Sequence, residues 1–569
     1  MFEVAPFVPF FVAAAIALFV RGWPRALLMV AVPLLGLANL WLLGPGSFGA
    51  WSVLDFELLL FRADRLSLLF GYLFHIAALI AIVYALHLRD TLQQVASLLY
   101  AGSALGAVFA GDLLTLFIFW ELLALTSVML VWARRTGRAY LAGLRYFFLQ
   151  ILSGLLLLGG IIFYAQAQGS LEFGYIGLGQ GILDSVGSWM IFLAFGIKCA
   201  FPFFHNWLTD AYPESTPTGT VFLSAFTTKV AVYALARAYP GTELLVYIGA
   251  TMACFPIFYA VIENDLRRVL AYSLINQLGF MVVGIGIGTS LAINGAVAHA
   301  FNDVIFKGLL FMSMGAVLQM TGRINGSELG GLYKTMPKTT VLCIIGAASI
   351  SAFPLFSGFV SKSMVMSAAI QNGYDWVWLI LLFASAGVFH HAGIKIPYFA
   401  FFAHDSGLRA KEPPTNMLVA MSIAAALCLA VGIYPQALYR LLPFEMSYSP
   451  YDLTHVLTQL QLLFFSALAF VWLNLRRLYP PELPSVNLDV EWLYRRLLPA
   501  AARSFFAAAF RLDERVRRTA LHAVDRLMAG VTSYHKPDGV MARSWLTGSM
   551  VAGVVLLLGL YLLLGFSTY

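Results

Sequence analysis

Apolar residues run in blocks of about 20, the length that crosses a bilayer as helix, and short polar stretches separate them along nearly the whole chain. Within a block the apolar positions are continuous, without the two-residue alternation of a β-barrel strand. The pattern predicts about sixteen transmembrane helices, near 4–20, 25–43, 65–87, 93–110, 112–132, 140–166, 187–207, 218–237, 243–262, 269–289, 291–320, 338–370, 374–402, 414–434, 455–475 and 546–567. Segment 481–545 breaks the rule. Apolar and basic residues there alternate at helical spacing, which predicts an amphipathic helix lying along a membrane surface, with Pro499 as a candidate kink.

Composition agrees with a polytopic all-α membrane protein. Of 569 residues, 60% are hydrophobic and 11% charged, more apolar surface than a soluble fold of this size hides. The first apolar run, from Val4 to Val20, reads as a helix that stays in the chain. The four cysteines are isolated and no CxxC occurs, so no disulfide framework, zinc site or iron–sulfur site is expected. No catalytic or redox centre, cofactor, metal site or nucleic-acid partner is expected either. Arginines and lysines cluster in the odd-to-even loops, among them Arg134, Arg135, Arg138, Arg267, Arg268 and Arg323. By the positive-inside rule those loops face the cytoplasm of a bacterial-type cell membrane and both termini face outside. The surface helix then lies on the cytoplasmic face. One cytoplasmic loop, 208–217, is acidic instead, with Asp210 and Glu214.

The candidate chemistry lies in charges that the bilayer penalises. Glu121, Lys198, Lys229, His299, Asp303, Lys307 and Lys362 all fall inside predicted spans, and His390, His391 and Lys395 follow. Such residues are functional-site candidates, because each costs several kcal/mol (order of magnitude) unless paired or hydrated. Snorkelling to the interface accounts for Lys395 and Lys362 but not for Lys198, Lys229 or Lys307. A buried ion pair alone adds little stability, so several together point to proton movement. Burial and neighbouring charge together set whether each group is charged. AFPFF with Pro202 and AFPLFSGF with Pro354 and Gly358 each interrupt a span near a lysine, the sign of broken helices at related places in two halves. Two five-span units follow, 93–240 and 241–403. Segment 1–92 precedes them, and 404–480, 481–545 and 546–569 complete the chain.

Four stretches carry a family resemblance: FGIKCAFPFFHNWLTDAYPESTPTGTVFLSAFTTKVAVYALAR, ENDLRRVLAYSLINQLGFMVVGIGIG, HAFNDVIFKGLLFMSMGAV and FPLFSGFVSKS. They resemble the antiporter-like subunits of Mrp cation/proton antiporters and of respiratory complex I, in detail most like the Mrp D subunit. The resemblance covers residues 60–475. The basic segment and last span also resemble the lateral helix and anchor of the distal complex I subunit. The family implies two inverted five-helix repeats with broken seventh and twelfth helices. It implies a proton path through Glu121, Lys198, Lys229, Lys307 and Lys362, with Glu121–Lys198 as a coupling pair. His299 would hydrate the link between halves, and Lys362 would open to the outside. The function implied is H+ translocation, with exchange for Na+ left open, among other membrane subunits of a Mrp-like or complex I-like assembly. A coupling subunit for a redox pump or an inorganic-carbon uptake complex is the alternative. Asp303 departs from the family, which has His there. An i,i+4 pair of Asp303 with Lys307 is expected. Asp303 then relays a proton, holds a cation such as Na+, or marks an altered half-channel.

Overall fold

The computed structural model describes residues 4–53, 56–179, 185–484 and 487–567. It divides into two compact units, residues 1–487 and 488–569. Among the described residues thirteen helices are long and apolar enough to cross a membrane, and three shorter apolar helices accompany them, Val8–Phe19, Val186–Lys198 and Pro337–Ile350. Every one of the sixteen expected spans contains one of these. The first unit carries fifteen, and the last, Thr547–Phe566, lies in the second. A two-stranded antiparallel hairpin, Gly46–Val53 with Phe56–Ala63, joins the second and third spans and was not expected.

The seventh span breaks between Val186–Lys198 and Asn206–Glu214, and the twelfth between Pro337–Ile350 and Ser357–Gln371. Both breaks are built alike. In Ala200-Phe201-Pro202-Phe203 the first and last residues have φ of 61° and 71°, and in Ala352-Phe353-Pro354-Leu355 they have 57° and 71°. The Phe201 N–H bonds the Gly196 carbonyl at 3.0 Å, and the Phe353 N–H bonds the Ala348 carbonyl at 3.1 Å. This is the left-handed helix terminator usually assigned to glycine, here at a cost of about 1–2 kcal/mol for each L-residue. Proline then prevents the helix from resuming. Pro202 and Pro354 sit in the breaks as expected. Gly358 does not: it lies in the first helical turn after the break, where a Cβ would overlap the Ser349 carbonyl oxygen.

Two further irregularities were not expected, and the first has no glycine or proline at its break. The eighth span is interrupted at Phe226, between Gly219–Ala225 and Thr227–Ala238. The thirteenth passes from the α-helix Asp375–Val388 into π-helical turns at Phe389–Lys395 and Tyr398–Phe402.

Other paired features recur. Asp112 caps the fifth span and bridges to Glu172, and Asp265 caps the tenth and bridges to Asn325. Each bridge closes on the chain that follows a 32-residue helix, Gly137–Gln168 or Ser290–Thr321. Arg267, expected in a loop, is fully buried. Its guanidinium donates to the carbonyls of Tyr212, Pro213, Ser215 and Thr216, gathering the orphan carbonyls that end the seventh span. The expected acidic loop is the helix end itself: Glu214 pairs with Arg138 at 2.5 Å and Arg134 at 3.4 Å, and Asp210 with Arg145 at 2.6 Å.

In the second unit the helix Leu498–His535 is 38 residues long, roughly 60 Å at about 1.5 Å per residue. Pro499 stands directly after the π-helical turns Leu493–Leu497, inside a helical run that begins at residue 491, where its missing N–H disturbs the helix ladder.

Candidate functional site

Lys198 ends the first half of the seventh span and is fully buried. Its ammonium donates to the Trp120 carbonyl at 2.6 Å and stands 4.8 Å from the Trp120 ring centre. The ring is held in turn: its N–H donates to Ser153 Oγ at 2.9 Å, and Ser153 donates to the Ala194 carbonyl at 2.7 Å. Glu121 is the next residue on the fifth span. Its carboxylate lies over Gly154 of the sixth span, where a Cβ would overlap Oε1. Oε1 has no hydrogen-bond partner, and no ion pair within 4 Å joins Glu121 to Lys198. The expected pair is therefore adjacent but open. Gly154→Ala is expected to leave the fold intact, since only a flexible carboxylate must move. Proton flux in reconstituted vesicles should fall about tenfold or more, because an ångström of misplacement is costly to a reacting group.

Lys229 follows the break in the eighth span and donates to the Ser224 carbonyl at 3.2 Å, on the N-terminal side of that break. It also reaches the eleventh span, where its Nζ lies 2.6 Å from Asp303 Oδ2, with both side chains fully buried. This corrects the expected Asp303–Lys307 pair. Helical spacing places the two on one face, but Lys307 turns to the tenth span and donates to Ser273 Oγ at 2.8 Å. Asp303 instead meets the lysine packed opposite it. The carboxylate that was a candidate Na+ holder is thus in a close ion pair with an ammonium, although neither of its oxygens is in a well-aligned hydrogen bond.

His299, one turn before Asp303, links the tenth and twelfth spans. Its Nε2 is 3.1 Å from Gln277 Oε1 and its Nδ1 is 3.0 Å from Ser361 Oγ. Gln277 offers an acceptor, so Nε2 carries the hydrogen and Ser361 donates to Nδ1. Asn302 donates to the same serine oxygen at 3.1 Å and to the Ser357 carbonyl at 2.8 Å. Lys362, the next residue on the twelfth span, donates back to the Ile350 carbonyl at 2.8 Å, at the negative end of the broken helix. It also borders a cavity of about 210 Å³, with Ser363, Ser367, His455 and Gln459 among its walls. His455 bonds Ser367 at 3.0 Å and Asp452 at 2.5 Å.

Snorkelling fails for Lys362 and Lys395, which are 2% and 0% exposed. Lys395 caps the end of the ninth span, donating to the carbonyls of Val261 at 2.7 Å and Glu263 at 2.6 Å, and pairs with Glu482 at 2.9 Å.

The lysines share a design. Lys229 and Lys362 each rest on a carbonyl at a helix break, and Lys395 rests on a helix C-terminus, so partial negative charge adds to the carboxylates that Lys229 and Lys395 meet and receives the Lys362 ammonium. Such contacts fix the nitrogen while leaving its charge sensitive to neighbours. Reading charges alone missed Ser273, Gln277, Ser361, His455 and Glu482. Ser273 and Gln277 are four apart on the tenth span, and that polar spacing was an available signal. No group of three or more His, Cys, Asp or Glu suited to a metal occurs among the described residues.

Many apolar helices of membrane-crossing length, buried ionisable groups and two matched helix breaks together mark the chain as a polytopic membrane protein. Residues 110–390 match the family described as NADH:quinone oxidoreductase/Mrp antiporter, transmembrane. Among curated relatives, a subunit of the Na(+)/H(+) antiporter from Alkalihalophilus pseudofirmus is 30% identical over 66% of this chain and 52% of its own length. Putative antiporter subunit mnhD2 of Staphylococcus aureus is 28% identical over 58% of this chain and 69% of its own length. The chain thus spans about half the length of the first of these relatives. Among solved structures, a chain of the membrane-bound sulfane sulfur reductase, an archaeal respiratory membrane complex, superposes with a TM-score of 0.72 at 23% identity. That match covers 98% of this chain and 100% of the other.

Proposed function

We propose that this chain is a proton-translocating, antiporter-like subunit of a multisubunit membrane complex, with Na+ as the candidate exchanged ion. The observation that carries the reading is the fully buried Lys229–Asp303 pair, at 2.6 Å, between the lysine of one five-span unit and the central helix of the other. Glu121 and Lys198 lie on one side of it and Lys307, His299 and Lys362 on the other. A change in charge at Lys198 alters the field at Lys229. Release of Asp303 then lets Lys229 pass its proton onward, through water, toward Lys307.

The matched breaks and the matched aspartate bridges support two inverted repeats, residues 93–240 and 241–403. The arginine-rich loops support a cytoplasmic side at the Arg134–Arg268 end, with both termini outside, and Lys362 then faces the exit through its cavity. The helix Leu498–His535 fits a lateral brace along the cytoplasmic lipid surface, spanning neighbouring membrane subunits. The second reading, a coupling subunit of a redox-driven assembly, has one observation in its favour: the sulfane sulfur reductase chain matches this one over its whole length, the surface helix and last span included.

The test is to purify the assembly through a tag on this chain, identify its subunits by mass spectrometry and reconstitute it into vesicles. Proton flux that Lys198→Ala abolishes is expected, driven by a Na+ gradient if the partners are Mrp-like. Flux that is indifferent to Lys198→Ala contradicts the proposed path.

A further inference from the structure

The buried row accounts for the first five-span unit and for the exit past Lys362, but not for the thirteenth span. There the chain gives up α-helical geometry for a π-helix at Phe389–Lys395. Such turns are rare and concentrate at functional sites. The segment is not loosely placed. A Cβ at Gly393 would overlap Ser351 Oγ, at the break of the twelfth span. His391 stands in this π-helix, fully buried, and neither ring nitrogen has a hydrogen-bond partner. Ser385 Oγ on the same span is also buried and without a partner. The Gly387 carbonyl, one turn back, is a poorly aligned acceptor for the ring, so the donor and acceptor of the neutral imidazole are incompletely met, which is costly in a protein interior. Water between neighbouring polar groups is the usual remedy.

The neighbours give this position a direction. The charged or titratable groups acting on His391 are Lys307 on the eleventh span and His390 and Lys395 on its own span. Lys395, four residues on, is joined to Glu482, whose Oε2 is buried and unpartnered. Burial pushes the Glu482 carboxyl above the usual carboxylate range, with Lys395 opposing. Glu263, whose carbonyl receives Lys395, lines a polar cleft of about 450 Å³ together with Arg134, Arg268 and Arg323. A polar cleft, a buried acid–lysine pair and a poorly satisfied imidazole thus lie in this part of the fold, with Lys307 among the charges that act on that ring.

We propose that His391 is a proton carrier that feeds Lys307 from this cleft, making the π-helix of the thirteenth span the entry of the second five-span unit. The inference rests on the proton-translocating reading. One ring nitrogen accepts a proton from water on the Glu482 side, and the ring becomes an imidazolium. The other nitrogen then releases its proton, through water, to the neutral amine of Lys307, leaving the opposite tautomer. Ring rotation or proton exchange with water resets it. No bond other than N–H and O–H changes.

The experiment uses the whole assembly, reconstituted in vesicles, with subunit content checked for each variant. His391→Gln keeps size and polarity but cannot carry a proton, whereas His391→Glu can. The expected result is proton flux reduced at least tenfold in His391→Gln and recovered to within a few-fold of wild type in His391→Glu, with subunit content unchanged. A packing role predicts the reverse order, since an amide replaces a neutral imidazole better than a carboxylate does. Wild-type flux in His391→Gln, or loss in both variants, overturns the inference. Lys307→Ala in the same vesicles separates the two claims. If it abolishes flux while His391→Gln does not, the entry is elsewhere and the proton path stands. If it too leaves flux intact, the path itself is lost, and the inference with it.

Discussion

Asp303→Ala is expected to destabilise the folded bundle by about 3–5 kcal/mol, the usual consequence of leaving one member of a buried ion pair alone. Lys229 would remain fully buried with only the Ser224 carbonyl, at 3.2 Å, to receive its ammonium. Asp303→Asn keeps the shape and removes the charge, and Asp303→His replaces the acid with a polar ring. Both should be milder than alanine. The double variant K229M/D303L behaves differently: replacing both ions by apolar groups of similar volume is often neutral or stabilising. Unfolding midpoints of the purified assembly in mild detergent check the order, with Asp303→Ala lowest and the double variant near wild type. If Asp303→Ala matches wild type at every pH, the pair is absent from the folded protein.

The second large effect concerns Lys307. Lys307→Arg retains a permanent positive charge of similar reach, yet a guanidinium does not give up its proton in a protein. If Lys307 served only as a fixed charge, arginine would substitute with modest loss. As a relay that must be neutral for part of each cycle, it should lose about 100-fold or more of its proton flux, the low end of what a positioned proton carrier contributes. Ser273, which accepts from Lys307 at 2.8 Å, holds one nitrogen and does not match a planar fork, so a modest structural penalty accompanies the change. Flux in vesicles, set against assembly yield, separates the two effects.

Much of the architecture was legible because the bilayer makes length and hydrophobicity decisive. Every expected span holds an apolar helix, including those interrupted by Pro202 and Pro354. What stayed hidden depends on tertiary contact. The break at Phe226 carries no glycine or proline and lies where Lys229 takes the Ser224 carbonyl. The π-helix at Phe389–Lys395 is likewise a matter of packing, at Gly393 against Ser351. Asp303 shows the limit most clearly. Sequence spacing reports only neighbours on the same helix and therefore favoured Lys307, whereas the partner comes from another helix. Arg267 counted toward the positive loops, but its two terminal nitrogens serve buried carbonyls that only the folded chain assembles. Glu482 fell in the segment 481–545 expected as a surface helix, and nothing local announces its bond to Lys395.

The central claim is that the buried Lys229–Asp303 pair is kept for proton passage rather than for stability. The most direct measurement is proton flux in vesicles containing the assembly with K229M/D303L, after confirming that its subunits are present in native amounts. The account predicts an intact complex with flux at the level of empty vesicles. Wild-type flux through that charge-free variant would contradict it, and the pair would then be structural.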